Sequence, residues 1–260
     1  MILTRLGNKR KIANQLHKEF LPHRMRIEFF FGAGGSYFYL PIPKFSILND
    51  ADSEVTNLYL VLLDQKVELY RQLEILPVTQ SLIKYWQNNI ETDPVRRAVR
   101  FLLLSNFTYM GKGGTMRLGI DHCKRNLINR IEPTFKMLSN SKITNLDFRE
   151  VLGKISFQKD VTPKKDCFNY LDPVYLHTTH NYKVKDWSIN DTEDCFKIMA
   201  DSGINSAMSE FAIEPVLDFA SDYKMNVIYL EERQNLKNRR QEILITNYVK
   251  HKSTTYSLNL

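Results

Sequence analysis

The sequence predicts an α/β fold built on a doubly wound, Rossmann-like sheet, and three segments carry that prediction. Residues 26–31, Arg-Ile-Glu-Phe-Phe-Phe, read as a strand running directly into Gly32-Ala33-Gly34-Gly35-Ser36. Residues 45–48 read as a second strand ending at Asn49-Asp50. Cys167-Phe168-Asn169-Tyr170-Leu171 reads as a third, which turns at once into Asp172-Pro173-Val174-Tyr175. Each apolar run stops at turn residues, and open α/β sheets bind ligands at the carboxyl ends of such strands.

Taken in order, residues 11–20 place Ile12, Leu16 and Phe20 at helical spacing until Pro22 stops the pattern. Glycines after the first strand let backbone approach a ligand closely, because no Cβ intervenes. Asp50, at the tip of the second strand, is placed to accept hydrogen bonds from ribose hydroxyls. Beyond it Val55, Leu58, Tyr59, Leu62, Leu69 and Leu73 form one apolar stripe. The glycine turn is not GxGxxG, and no Gly-Lys-Ser/Thr follows it. A dinucleotide oxidoreductase and a P-loop nucleotidase are thereby disfavoured, and a nucleoside cofactor without a pyrophosphate remains. At the third strand's end a carboxylate, the Pro173 carbonyl and an aromatic face arrive together.

A chain of 260 residues, 43% of them hydrophobic, has room for one α/β domain with a sizeable core plus a small insertion. No apolar run approaches the roughly 20 residues that span a bilayer, so no membrane partner is expected, and residues 1–11 lack a signal peptide's apolar stretch. Cys123, Cys167 and Cys195 are odd in number and far apart. Neither a metal site nor a disulfide framework is expected, and the expected location is the reducing cytoplasm.

The formal net charge of +7 favours an anionic partner. Basic groups cluster at Lys9-Arg10-Lys11, at Arg96-Arg97 with Arg100, at Lys124-Arg125, and at Lys237 with Arg239-Arg240. Any one cluster reads equally as a solvated face; together they tilt toward nucleic acid. Residues 75–140 interrupt the α/β alternation. Within them Asn106-Phe107-Thr108-Tyr109-Met110-Gly111-Lys112-Gly113-Gly114-Thr115-Met116-Arg117 sets glycines beside aromatic and basic groups, as a DNA-facing finger would.

Six short pieces, in this order, resemble the Dam-type (D12 class, alpha group) DNA adenine-N6 methyltransferases. They are Leu6-Gly7-Asn8-Lys9, Phe30-Phe31-Gly32-Ala33-Gly34, Leu48-Asn49-Asp50, Leu146-Asp147-Phe148, Asp172-Pro173-Val174-Tyr175 and Ile243-Leu244-Ile245-Thr246-Asn247-Tyr248. The resemblance implies an S-adenosylmethionine-dependent methyltransferase sheet, with S-adenosylhomocysteine as product. The cofactor would sit against Phe30, Gly32, Ala33 and Gly34, with Asp50 on its ribose and Asp147 and Phe148 beside its adenine. Lys9 would lie between cofactor and DNA, and Arg5 stands where relatives often carry an aromatic cofactor contact. Residues 1–74 and 141–260 would form the catalytic domain, and 75–140 a mainly helical target-recognition subdomain.

The chemistry that the resemblance implies is physically coherent. The lone pair of adenine's exocyclic amine is delocalised into the ring. Two acceptors aimed at its N–H groups favour a more tetrahedral nitrogen and release that pair. Asp172 and the Pro173 carbonyl are the two acceptors, and Tyr175 would stack on the flipped base. The implied reaction is site-specific methylation of adenine N6 in double-stranded DNA. Alternatives are a weakly active or inactive DNA-binding homologue and an RNA adenine methyltransferase. A separately encoded restriction endonuclease is a candidate partner.

Two positions depart from the family pattern. Val174 replaces the second proline of Asp-Pro-Pro-Tyr, so Pro173 loses a restraint on its ψ. Gly114 stands where relatives carry a guanine-reading Arg after an inserting Tyr, matched here by Tyr109. GATC recognition is therefore not carried over, and Lys112 or Arg117 is the candidate base contact. His177 and His180 follow the tetrad as HxxH, too few ligands for zinc, and His177 is a candidate DNA contact. Residues 226–230 and 242–247 read as an antiparallel pair at the sheet edge. Trp187 and Phe196 read as packing residues, and Trp86 has no assigned place.

Overall fold

The computed structural model describes residues 1–5, 7–39, 41–119, 123–178, 186–230, 233–234 and 239–250. His180 and Lys237 lie outside them. Strands β1 (Met25–Glu28), β2 (Phe45–Asn49), β3 (Ser141–Thr144), β4 (Cys167–Leu171), β5 (Asn205–Phe211), β6 (Asn226–Tyr229) and β7 (Glu242–Thr246) form one sheet. Their order is β3-β2-β1-β4-β5-β7-β6. The first five are parallel, whereas β7 is antiparallel to both β5 and β6. The expected Rossmann-like sheet is thus present, and the predicted C-terminal strand pair is β6 with β7. The second member of that pair is inserted beside β5 rather than left at the edge. Because β7 runs against its neighbours, its first residue, Glu242, pairs with Phe211 at the end of β5.

Alternation along β4 explains why the sheet is covered on both faces. Phe168 and Tyr170 point to the layer of α1 (Ala13–Glu19), where Phe20 packs 4.6 Å from the Phe168 ring. Cys167 and Leu171 point the other way, into the core formed with α7 (Ile189–Asp201) and α8 (Glu214–Asp222). Phe196, given to packing by its sequence context, is fully buried there.

Between β2 and β3 the chain makes α2 (Ser53–Asp64), α3 (Lys66–Ile75), α4 (Gln80–Asn88), α5 (Pro94–Phe107) and α6 (Cys123–Leu138). The stripe read as one helix is broken at Gln65, which closes α2 through its N–H to Val61 and opens α3. Leu102, Leu127 and Ile131 from the inserted segment share one core with Val55, Leu58 and Leu62 of α2 and with Ile2 and Leu3. Trp86 is buried in this core, its indole N–H donating to Glu91 at 2.7 Å. Among the described residues no helix is long and apolar enough to cross a membrane.

The shared core makes a prediction about residues 75–140. Leu102→Ala should cost about 2–5 kcal/mol and leave urea unfolding as one transition. Two transitions, with only the first shifted, would mark the inserted helices as an independent unit.

Candidate active site

A cavity of about 790 Å³ opens at the carboxyl edge of the sheet. It gathers Arg5, Asn8 and Lys9, the turn after β1, Asp50, Asp147 and Phe148, the tetrad Asp172 to Tyr175, and Met110 to Gly113 of the loop after α5. Pieces spread over most of the sequence therefore face one space.

One half is built around the tips of β1 and β2. Gly32 has φ +51°, and a Cβ there would meet nothing within 4 Å, so the backbone lies open to a ligand. Its N–H donates to Asp50 at 2.7 Å, and Asp52 N–H donates to the other Asp50 oxygen at 2.8 Å. Burial pushes the Asp50 carboxyl up to about 6, against the pull of Arg5 and these two donors. Asn49 ties this edge together: its amide donates to the carbonyls of Phe29 and Leu146, while its oxygen accepts from Leu146 N–H and Thr144 Oγ1. Phe30, Phe148 and Trp187 form a ring cluster with centroids 5.2–5.5 Å apart, and all three line the cavity.

Gly34 departs from expectation, while Arg5, Asp147 and Trp187 line the cavity and make further contacts. Gly34 does not line the cavity; at φ +66° its missing Cβ leaves room for the Phe38 and Phe31 rings, and Gly35 faces the cavity instead. Arg5 pairs with Asp52 at 2.5 Å and lies 5.9 Å from the Phe101 ring. Asp147 is exposed, capping a short turn through Arg149 N–H and pairing with that guanidinium. Trp187, read as packing, is a wall of the cavity. The residues fit a nucleoside bearing a positive charge: an open backbone cradle, a wall of rings, and carboxylates at the strand tips.

The other half centres on the tetrad. Lys9 is 3% exposed, with Nζ 2.8 Å from Asp172 Oδ1 and 3.2 Å from Glu242 Oε1. Tyr175 Oη donates to the same Glu242 oxygen at 2.5 Å. The ring itself is only 8% exposed, with Lys9 Nζ 4.5 Å from its centroid and Phe211 edge-on at 4.7 Å. The open stacking face expected for Tyr175 is therefore largely covered. Behind the tetrad, Glu210 accepts from Leu176 N–H at 2.6 Å and from Phe211 N–H, and Thr178 N–H and Oγ1 both donate to the Tyr175 carbonyl. The turn around Val174 is thus braced on its C-terminal side without a second proline.

The loop after α5 is closed rather than open. Tyr109 N–H donates to Thr115 O and Arg117 N–H to Phe107 O, while Met110 at φ +56°, Gly111 and Gly113 make the bend. Lys112 lines the cavity. Tyr109 is 62% exposed and Arg117 is exposed, both outside the cavity lining. His177 is exposed at φ +59° and also outside it; its carbonyl faces Arg240 Nη1 at 3.5 Å.

Two basic clusters are engaged within the fold. Arg97 and the buried Arg100 both pair with Glu54, Arg96 pairs with Glu91, and Lys124 donates to the carbonyls of Glu74 and Leu76 at the end of α3. Arg96 and Arg125 remain exposed to solvent. The contributions of Asp52, Glu210 and Glu242 went unread: a Glu in a strand looks like a solvated position. Asp52 does carry a legible signal, as an acidic residue opening a helix.

A family model described as D12 class N6 adenine-specific DNA methyltransferase matches residues 6–236. Among solved structures, a conserved hypothetical protein of Streptococcus pyogenes is similar at 7% identity and TM-score 0.39, over 93% of this chain and 96% of that one. The N-terminal domain of human METTL16 in complex with SAH is similar at 8% identity and TM-score 0.39, over 92% and 68%. Trm5b from Pyrococcus abyssi is similar at 13% identity and TM-score 0.33, over 91% and 47%. These scores are too low to carry an argument; the fold rests on the strand order itself.

Burial raises Glu28 to about 7 and Glu210 to about 8. An acid raised in the native state favours folding at low pH, and that contribution is lost as pH rises through the native value. Met1's amino group and His23, lowered to about 6 and about 4 mainly by burial, act in the opposite direction, so the effect is read as a difference. Relative to wild type, Glu210→Gln should gain urea resistance as pH rises between about 4.5 and 8, by up to about 1.4 kcal/mol per unit, and level off above that. A difference independent of pH would mean that Glu210 stays ionised throughout.

Proposed function

We propose, because the chain belongs to the D12 class N6 adenine-specific DNA methyltransferase family, that it methylates a flipped-out adenine within a short duplex DNA sequence. The observation that carries this reading is one cavity shared by the Gly32–Asp50 cradle and an Asp172 held by Lys9. S-adenosylmethionine, when bound, supplies an electrophilic methyl group on a sulfonium. Gly32, Ala33 and Asp50 would hold its nucleoside end, and Phe30, Phe148 and Trp187 its adenine. Asp172 and the Pro173 carbonyl would accept from the target amine and aim its lone pair. Their contribution is positioning and preorganised charge in a cavity that restricts water. Stacking of a base on Tyr175 requires Lys9 or Phe211 to withdraw from the ring.

Residues 75–140 would supply target recognition, with Tyr109, Lys112 and Arg117 toward the duplex and His177 beside the tetrad. Lys112 is the one that also reaches the cavity. The exposed Arg10 and Arg117 and the partly exposed Arg240 suit phosphate contacts. The bracing of Leu176 and Tyr175 supports an active enzyme despite Val174.

Labelled methyl transfer from S-adenosylmethionine to duplex DNA, single-stranded DNA and RNA tests the reading. Duplex DNA should be the preferred acceptor, and Asp172→Ala should lower turnover by about 100-fold or more. Transfer to RNA alone, or none to any DNA, would overturn it. Val174→Pro should leave turnover unchanged or lower, since the turn is already held; a large gain would show that the valine weakens the site.

A further inference from the structure

Resting on the proposed methyl transfer, we infer that Glu242 is a positioning residue for the reaction, one oxygen of which fixes both Lys9 and Tyr175 and through them Asp172. Glu242 does not line the cavity and touches no site where a substrate would sit. It is fully buried at the first position of β7. Its Oε1 accepts the Tyr175 hydroxyl at 2.5 Å and lies 3.2 Å from Lys9 Nζ, which in turn is 2.8 Å from Asp172 Oδ1. The ammonium also lies 4.5 Å from the Tyr175 ring centroid. Lys9 and Tyr175 therefore meet at a single Glu242 oxygen, and Asp172 joins them through the Lys9 ammonium.

The chemistry of this arrangement is specific. A carboxylate withdrawn from water has to be matched by charge or hydrogen bonds, and Lys9 is positioned to match Glu242 and Asp172 together. With its ammonium divided between two carboxylates, Asp172 keeps electron density for a third partner, the N–H of the target amine. Without Glu242, Lys9, which also donates to the Gly7 carbonyl at 3.2 Å, would draw more strongly on Asp172 and weaken it as an acceptor. The phenol would also lose the partner that sets the tilt of its ring. Glu242 thus acts on the acceptor strength of Asp172 and on the plane of Tyr175 without contacting the reacting atoms.

Glu242→Gln in the full chain is the test, because glutamine keeps an acceptor oxygen and removes the charge. Turnover on duplex DNA should fall by about 10- to 100-fold, with the KM for S-adenosylmethionine within about twofold of wild type. The acid limb of the turnover–pH profile should move to lower pH, since Asp172, still faced by Glu28 and Glu210, loses one neighbouring anion and a competitor for Lys9. In a Lys9→Met background the same substitution should have little further effect. A purely structural role would lower turnover without moving the limb. An active wild type whose Glu242→Gln variant has unchanged turnover and pH limb overturns the inference.

A second measurement is independent of activity. Urea midpoint shifts of Glu242→Ala and Tyr175→Phe should sum to more than the double variant shows, since either change alone removes the bond between them. Additive shifts overturn the shared-oxygen arrangement. If the wild type methylates no DNA, the proposed function falls, while the urea cycle still decides whether Glu242 fixes Tyr175.

Discussion

Lys9 lies buried where four acidic side chains converge on the carboxyl edge of the sheet, and the rest of the site is arranged around that ammonium. Glu28 closes β1, Asp172 follows β4, Glu210 is the penultimate residue of β5 and Glu242 opens β7. Removing that many carboxylates from water is unfavourable. The chain answers in three ways. Lys9 spans Asp172 and Glu242. Backbone N–H groups of Leu176 and Phe211 satisfy Glu210. Glu28 and Glu210, raised by burial to about 7 and about 8, hold protons into the neutral range.

That arrangement creates a contrast in potential across a short distance. The floor of the cleft is acidic and partly desolvated, where a cationic sulfonium is favoured. The surface around it carries exposed cations such as Arg10 and Arg117, where a polyanion is favoured. The two ligands of the proposed reaction carry opposite charge, so each is drawn to a different depth of the same cleft. Asn49 keeps the two depths in register by tying the exits of β1, β2 and β3 with four hydrogen bonds.

Much of this architecture was legible because local pattern and tertiary role agree. The β1, β2 and β4 runs stop at turn residues, and the side chains that line the cavity stand at those stops. The strands that went unread are those where neighbours override composition. Ser141–Thr144 holds one aliphatic residue and is kept by its ladder to β2. Asn205–Phe211 is rich in polar residues yet buried at nearly every position, with Tyr170 Oη and Asn169 bonded to its serines. The pairing of two α5 arginines was hidden for a related reason. For Arg97 and Arg100 the partner, Glu54, lies more than 40 positions earlier, and only the fold brings it alongside. Charge spacing along a sequence shows where cations are, while pairing across the fold determines which remain available to a partner.

The late insertion of β7 has a consequence for how the protein is made. Lys9 precedes every strand of the sheet and Glu242 opens the last of them in the sequence, so the cleft has no complete floor until that strand has been made. Until then β5 presents an unpaired edge beside β4, of the kind that recruits other strands. A nascent chain can form the glycine cradle early, but it cannot brace Asp172 or Tyr175 until residue 242 emerges. Until that pairing forms the pocket is half built, and the contact between Lys9 and Glu242 is the kind of long-range closure that slows folding.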